Sequence, residues 1–229
     1  MTQQPVQIDP LNSPFPVPWN WVLATQTAHQ TSRVSRLRYY RTQALISPNG
    51  QYAAYSRIQM RVERNFVHSR VSSVLFIENL HSGDLQTVTA SSPLANNPFV
   101  AETETAAPGS IAILIPVAWS AQSDRILARE FESLFGSNVA SDFAVIWDEQ
   151  GSHTKTLSPI GIEYTNAILL GWSCRRPDQV LFRAGMLGEP DWPLWAVDPY
   201  GQTHAVADDQ PMTYGNYMTH VWAGPQAHC

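Results

Sequence analysis

Residues 171–174 of this 229-residue chain read Gly-Trp-Ser-Cys, directly after the apolar run Ala-Ile-Leu-Leu at 167–170. A serine on a sharp turn after an apolar strand is how α/β hydrolases expose a nucleophile. That elbow requires glycine on both sides of the serine and a helix after it. Here the second glycine position is Arg175, and Pro-Asp-Gln-Val-Leu-Phe-Arg at 177–183 reads as a strand. Ser173 also has counterparts in Ser47 and Ser120, which makes it a repeated element bonding local backbone rather than an attacking group. Cys174 has no histidine beside it in sequence and reads as inert turn packing.

Other chemistry is equally thin. The histidines are His29, His68, His81, His153, His204, His220 and His228, and no pair has the spacing of a helical zinc motif. His228-Cys229 is a chemically competent ligand pair, but a frayed terminus is the expectation there. Glu130 and Glu132 share a face if their segment is a strand, and Glu102 and Glu104 read as solvated loop charge. Paired carboxylates without a pocket do not establish acid–base work. No glycine-rich phosphate loop is present. No catalytic residue, metal or cofactor is assigned. With only Cys174 and Cys229, a disulfide framework is not in play, and a reducing compartment is the simplest setting.

The elements that hold these residues repeat. Residues 45–56 (LISPNGQYAAYS), 118–129 (AWSAQSDRILAR) and 171–183 (GWSCRRPDQVLFR) each give an apolar residue, a serine, a polar turn and a short apolar strand. A second half repeats at 72–89, 142–158 and 192–207, where Gly83, Gly151 and Gly201 fall in equivalent hairpin turns. Each unit thus reads as four short antiparallel strands, over about 39–90, 111–159 and 165–208. Ala54, Ser56, Ile58, Met60 and Val62 alternate with Tyr55, Arg57, Gln59, Arg61 and Glu63, the period of a half-buried strand. The segment 123–137 has apolar residues at helical spacing, yet alignment with the other units makes at least 125–131 a strand.

These repeats resemble the TolB-type, WD-repeat-like β-propeller, whose blades carry an aromatic-Ser-Pro-Asp-Gly turn before an aliphatic strand. Ile-Ser-Pro-Asn-Gly at 46–50 is close to that signature, whereas the turns at Ser120 and Ser173 keep only the Trp-Ser pair. The whole chain also looks like an uncharacterised family of cyanobacterial proteins. The resemblance implies an all-β fold, a small or incomplete propeller of about three to four blades, used as a scaffold for protein or ligand contacts. Closed propellers typically need four or more blades. Closure is expected either from the termini, with 19–25 as a strand pairing near 217–224, or from dimerisation.

Composition agrees with one globular domain over 1–229. Charged residues are 14% of the chain, hydrophobic residues 44%, and eight each of Trp, Tyr and Phe supply core material. Residues 1–18 read as an extended Pro-rich tail and 91–110 as a mobile loop. The longest apolar run, 111–119, is too short to cross a bilayer, and the N-terminus lacks the features of a secretory signal, so a cytoplasmic location without membrane contact is expected.

Charge is the informative feature. Eight of the fourteen basic residues (Arg33, Arg36, Arg38, Arg41, Arg57, Arg61, Arg64, Arg70) lie within 33–70 against one acid, Glu63, although the whole chain carries −5. All eight are arginine, the side chain suited to bidentate contacts with carboxylate or phosphate. On a strand Arg57 and Arg61 project from the same face. Three readings compete: internal neutralisation by the fold's own acids, an acidic protein partner, or nucleic acid stacking on Arg-Leu-Arg-Tyr-Tyr-Arg at 36–41. The net acidity and a pI near 5.7 count against the last. The site expected on the second reading is Arg57, Arg61, Arg38 and Arg41 with Tyr39 and Tyr40 as aromatic anchors. A homodimer and a propeller hydrolase with a central site remain as alternatives.

Overall fold

The computed structural model describes residues 9–31, 37–98, 107–151, 153–219 and 222–226. The fold is all-β; among the described residues one α-helix, α1 (Trp19–Thr31), precedes the first strand. The first unit comprises β1 (Leu37–Arg41), β2 (Ala44–Ile46), β3 (Tyr52–Arg61), β4 (Arg70–Asn79) and β5 (Leu85–Val88). The second comprises β6 (Ser110–Trp119), β7 (Arg125–Leu134), β8 (Ala140–Asp148) and β9 (His153–Leu157). The third comprises β10 (Asn166–Ser173), β11 (Val180–Gly185), β12 (Leu194–Val197) and β13 (Thr203–Ala205). Three short strands follow, β14 (Pro211–Met212), β15 (Asn216–Met218) and β16 (Gly224–Gln226).

Each unit is an antiparallel meander, and apart from β1 and β2 its neighbours in sequence are neighbours in the sheet. In the first, β1 and β2 lie end to end along β3. Units one and two join where Val71 on β4 meets Ile111 on β6 in parallel, and the Ser73 hydroxyl accepts from the Leu114 N–H at 2.6 Å. The result is one 11-stranded and one 5-stranded sheet. Both strand orders are open paths among the described residues, so neither sheet closes on itself.

The second unit lies between the other two. One of its faces (Leu114, Trp119, Ile126, Ala128, Val145) packs on Leu45, Tyr52, Ala54, Leu75 and Ile77 of the first unit. The other (Val117, Leu127, Ala144, Ile146) packs on Leu169, Trp172, Val180 and Phe182 of the third. Burial on both faces is why 111–119 is continuously apolar rather than alternating. The same burial makes 125–134 a strand: β7 pairs with β6 and β8 along nearly its whole length, and tertiary pairing overrides the helical spacing of its apolar residues.

The expected strand at 19–25 is instead the start of α1. Pro18 precedes the helix, and its carbonyl accepts from the N–H groups of Trp21 and Val22. Proline has no N–H to waste and is pre-set for a helix start. Trp19, Val22 and Thr25 recur at three-residue spacing; Val22 and Thr25 are buried, and Trp19 meets Phe131 edge-on at 6.0 Å. The C-terminal segment does add strands, but not to α1. It crosses the fold, pairing β14 with β10, bridging Tyr214 to Trp119 on β6, and pairing β15 with β2 and β16 with β1. One segment thus runs along the first strand of every unit in turn.

Of the Pro-rich 1–18, residues 9–18 are described, and they are docked. Leu11 and Val17 are buried in the core beside Ile58, Ile113 and Phe131. Of the stretch 91–110, residues 99–106 lie outside the described residues. At its described start the Ser91 N–H donates to Thr156 Oγ1 at 2.9 Å and the Leu94 N–H to Glu132 at 2.8 Å.

Candidate interaction surface

The three repeated serines hold the same corner of the same hairpin. The backbone N–H of each serine donates across the turn to a carbonyl, Ser47 to Tyr52 and Ser173 to Gln179 at 2.9 Å and Ser120 to Arg125 at 2.8 Å. Each hydroxyl donates to an Asx oxygen: Ser47 to Asn49 at 2.7 Å, Ser120 to Asp124 at 2.6 Å, Ser173 to Asp209 at 2.5 Å. Each also accepts from a turn N–H, from Tyr52, Arg125 and Arg176 respectively. No imidazole bonds Ser173 among the described residues, and its proton points at a carboxylate already spent on the N–H groups of Cys174, Arg175 and Gln210. Burial raises the Asp209 carboxyl, but the Ser173 hydroxyl and those N–H groups outweigh it and hold it below the usual carboxylate range. This arrangement locks the turn. Cys174 is exposed.

The corners also tie the units together. The Asn49 N–H donates to Ser123 Oγ at 3.1 Å, Tyr52 bonds Glu149, and Arg125 pairs with Asp178 at 2.5 Å.

The first unit carries the arginine face. Residues directly opposite in an antiparallel pair share a face. Arg41 is opposite Arg57, Tyr39 opposite Gln59 and Leu37 opposite Arg61. On the other side of β3, Arg57 is opposite Val74, Gln59 opposite Ser72 and Arg61 opposite Arg70. Four of the six expected contact residues, Arg41, Arg57, Arg61 and Tyr39, therefore share one face, and Arg70 joins them. Arg57 is exposed and the others are half-buried. The Arg41 guanidinium lies 3.8 Å from the Tyr55 ring centroid, and Tyr55 stacks on Phe76. Aromatic stacking of this kind holds an arginine side chain in one orientation.

Arg38 and Tyr40 stand on the opposite side of β1, opposite the buried Met60 and Ile58. Tyr40 packs against Trp21 of α1 at 5.4 Å, and burial raises its hydroxyl pKa. The alternation of side chains along a strand splits Arg-Leu-Arg-Tyr-Tyr-Arg between two faces, which its composition alone conceals. Arg33 and Arg36 lie outside the described residues.

Sequence reasoning missed a buried ion cluster. Arg129, fully buried on β7, bonds Asp9 Oδ2 at 2.7 Å and the Phe15 carbonyl at 2.6 Å, and its Nε lies 2.7 Å from Asp142 Oδ1. Asp9 also accepts from the N–H groups of Leu11, Ser13 and Val17, so one carboxylate winds residues 9–17 around itself. Burial raises its pKa, but Arg129 and the Ser13 and Val17 N–H groups bring it below the usual value. Asp142 accepts from the Leu169 N–H at 2.9 Å, and burial, only partly offset by Arg129, pushes it up to about 6. The available signal was a charge inside the apolar series Leu127, Phe131 on one side of β7.

Glu130, on the other side of β7, is fully buried, and its Oε2 has no hydrogen-bond partner among the described residues. Burial, then the charges of Glu132 and Asp142, raise its pKa well above the ordinary carboxylate value. A raised folded pKa means the native state holds a proton the unfolded chain has released, so stability falls as pH rises from the unfolded value toward the folded one. Glu130→Gln removes that proton exchange. It should gain about 1–3 kcal/mol over the native protein at pH 8 and little at pH 4. Urea midpoints measured across that range check this, and parallel pH curves for the two proteins contradict it.

No cluster of three or more metal-ligating side chains occurs among the described residues, and no described helix is long and apolar enough to cross a membrane. No protein-family model matches this chain, and no curated protein matches it either.

Proposed function

We propose that the chain is a non-catalytic interaction module, a small propeller-like stack of three blade units whose first unit docks an acidic protein partner. The observation that carries this is the register of β1, β3 and β4, which gathers Arg41, Arg57, Arg61 and Arg70 around Tyr39, Gln59 and Ser72 on one side of a sheet. Four guanidiniums with hydrogen-bonding groups between them match carboxylates presented along an extended or helical partner, and the aromatic and arginine content is that of interface centres.

The propeller reading draws support from three meanders that share one serine-locked corner. Residues 211–218 lie along β10, β6 and β2, strands at the start of the three units, which favours an interaction module over a hydrolase with an open central site. Nucleic acid is disfavoured by the net charge of −5.

The test uses calorimetry with a glutamate-rich peptide on the full chain. Arg57→Glu with Arg61→Glu, both on the partly solvated face, should weaken binding by about tenfold or more with the thermal midpoint nearly unchanged, since reversing charge on a surface acts on association rather than folding. Equal affinity in native and variant proteins overturns the reading. Binding of a polyuridylate strand with a steep salt dependence, in place of the peptide, overturns it in favour of nucleic acid.

A further inference from the structure

Where β3 passes to β4, the arginine face ends in a cavity of about 290 Å³ lined by Arg61, Glu63, His68, Arg70 and Pro108. Its walls are built rather than incidental. Asn65 accepts from the Val67 N–H through its side chain and from the His68 N–H through its carbonyl, forming the single 3₁₀ turn Phe66–His68. Ser69 is buried and its hydroxyl accepts from the Glu63 N–H at 3.0 Å, fixing the return of the chain. Phe66 meets Phe135 edge-on at 6.3 Å. Gly109 lies so close to this turn that a Cβ there would stand 2.4 Å from the Val67 carbonyl, so only glycine brings Pro108 against the cavity.

Arg61 and Arg70 are directly opposite each other on adjacent strands. An oxyanion reaching both guanidiniums gains two charge-assisted contacts. Arg41 and Arg57 form a second such pair on the same face, four residues along β3 and so roughly 13 Å away. The two pairs differ in what surrounds them. Arg41 lies over the Tyr55 ring, and Arg61 and Arg70 line their cavity together with the His68 imidazole and the Glu63 carboxylate.

We infer that the Arg61–Arg70–His68 cavity binds a phosphate group, either free phosphate or a phosphate monoester. Two planar guanidinium forks and an imidazole N–H supply donors to three peripheral oxygens, more than a planar carboxylate can use. Glu63 accepts the remaining proton of a singly protonated phosphate. This deepens the docking reading above, since it specifies a phosphorylated side chain as the group an acidic partner would seat at this end of the face.

The experiment titrates the full chain, in a phosphate-free buffer of fixed ionic strength, with inorganic phosphate and with one glutamate-containing peptide in serine and phosphoserine forms. Arg70→Gln, Arg61→Gln and His68→Asn are compared with Arg183→Gln, an exposed arginine on β11. The expected result is saturable phosphate binding that falls about tenfold or more in Arg70→Gln and Arg61→Gln, less in His68→Asn, and is unchanged in Arg183→Gln. A phosphoserine peptide binding more tightly than inorganic phosphate identifies a phosphorylated partner as the source. Equal affinity identifies the free anion. No saturable phosphate binding, or equal losses in Arg70→Gln and Arg183→Gln, overturns the site. Phosphate binding without any affinity for the serine peptide upholds the site while sinking the broader docking face.

Discussion

Arg129→Met is expected to destabilise the protein by about 3–5 kcal/mol, the usual cost of leaving buried charges without their partner. Arg129 is fully buried and is the only cation bonded to both Asp9 and Asp142 among the described residues. Removing it leaves two carboxyls in a site that excludes water. Both pKa values then rise, so the variant should lose stability as pH increases through the range where the unfolded chain has already ionised. The damage should spread to residues 9–17, whose turns are organised by the Asp9 carboxylate. Urea unfolding at neutral pH reads the loss. Adding Asp9→Asn and Asp142→Asn to Arg129→Met should recover part of it, because a neutral buried set no longer carries uncompensated charge. A single variant within about 1 kcal/mol of the native protein would show that the cluster is hydrated in solution.

Trp119→Ala should cost about 3–5 kcal/mol as well, and for a different reason. Trp119 is fully buried at the end of β6, stacks on Tyr52 with ring centroids 5.8 Å apart and donates its indole N–H to the Leu45 carbonyl at 3.0 Å. Its own backbone N–H donates to the Tyr214 carbonyl at 2.9 Å. Gly215 approaches so closely that a Cβ there would stand 2.9 Å from Trp119 Cδ1. The ring is therefore the place where units one and two and the C-terminal segment meet. Truncation opens a cavity among all three, and amide exchange at residues 211–218 should accelerate more than exchange in β7 or β8. Trp119→Phe keeps most of the volume but removes the indole hydrogen bond to the Leu45 carbonyl, for an expected loss of about 1 kcal/mol. Uniform acceleration across the chain in Trp119→Ala would mean that the segment has no special dependence on this ring.

Three features were legible in the residues because they are local. Serine followed by an Asn or Asp turn and a short apolar strand is a hairpin corner wherever it occurs, and the three copies at Ser47, Ser120 and Ser173 do form corners. Alternation in 54–63 predicted one polar and one buried face on β3, and Arg57 and Arg61 share the polar one. The near absence of acids from 33–70 marked the first unit as the basic one.

Long-range packing decided the rest. Whether Trp-Asn-Trp-Val-Leu-Ala-Thr at 19–25 is a strand or a helix depends on what covers it; with β3, β6 and β7 already paired, a helix laid across them buries Val22 without needing a sheet edge. Arg38 and Arg41 look equivalent in sequence, yet an odd spacing on a strand sends them to opposite sides, and only the pairing of β1 with β3 says which side is open. Asp9 and Arg129 are 120 residues apart, and nothing in either neighbourhood names the other. Sequence by itself determined the class of structure, its repeated corners and the location of its positive charge, since turns, alternation and composition act over a few residues. Tertiary structure alone decided which arginines gather, where the buried ions pair and how the last segment crosses the three units, because those outcomes depend on contacts between distant parts of the chain.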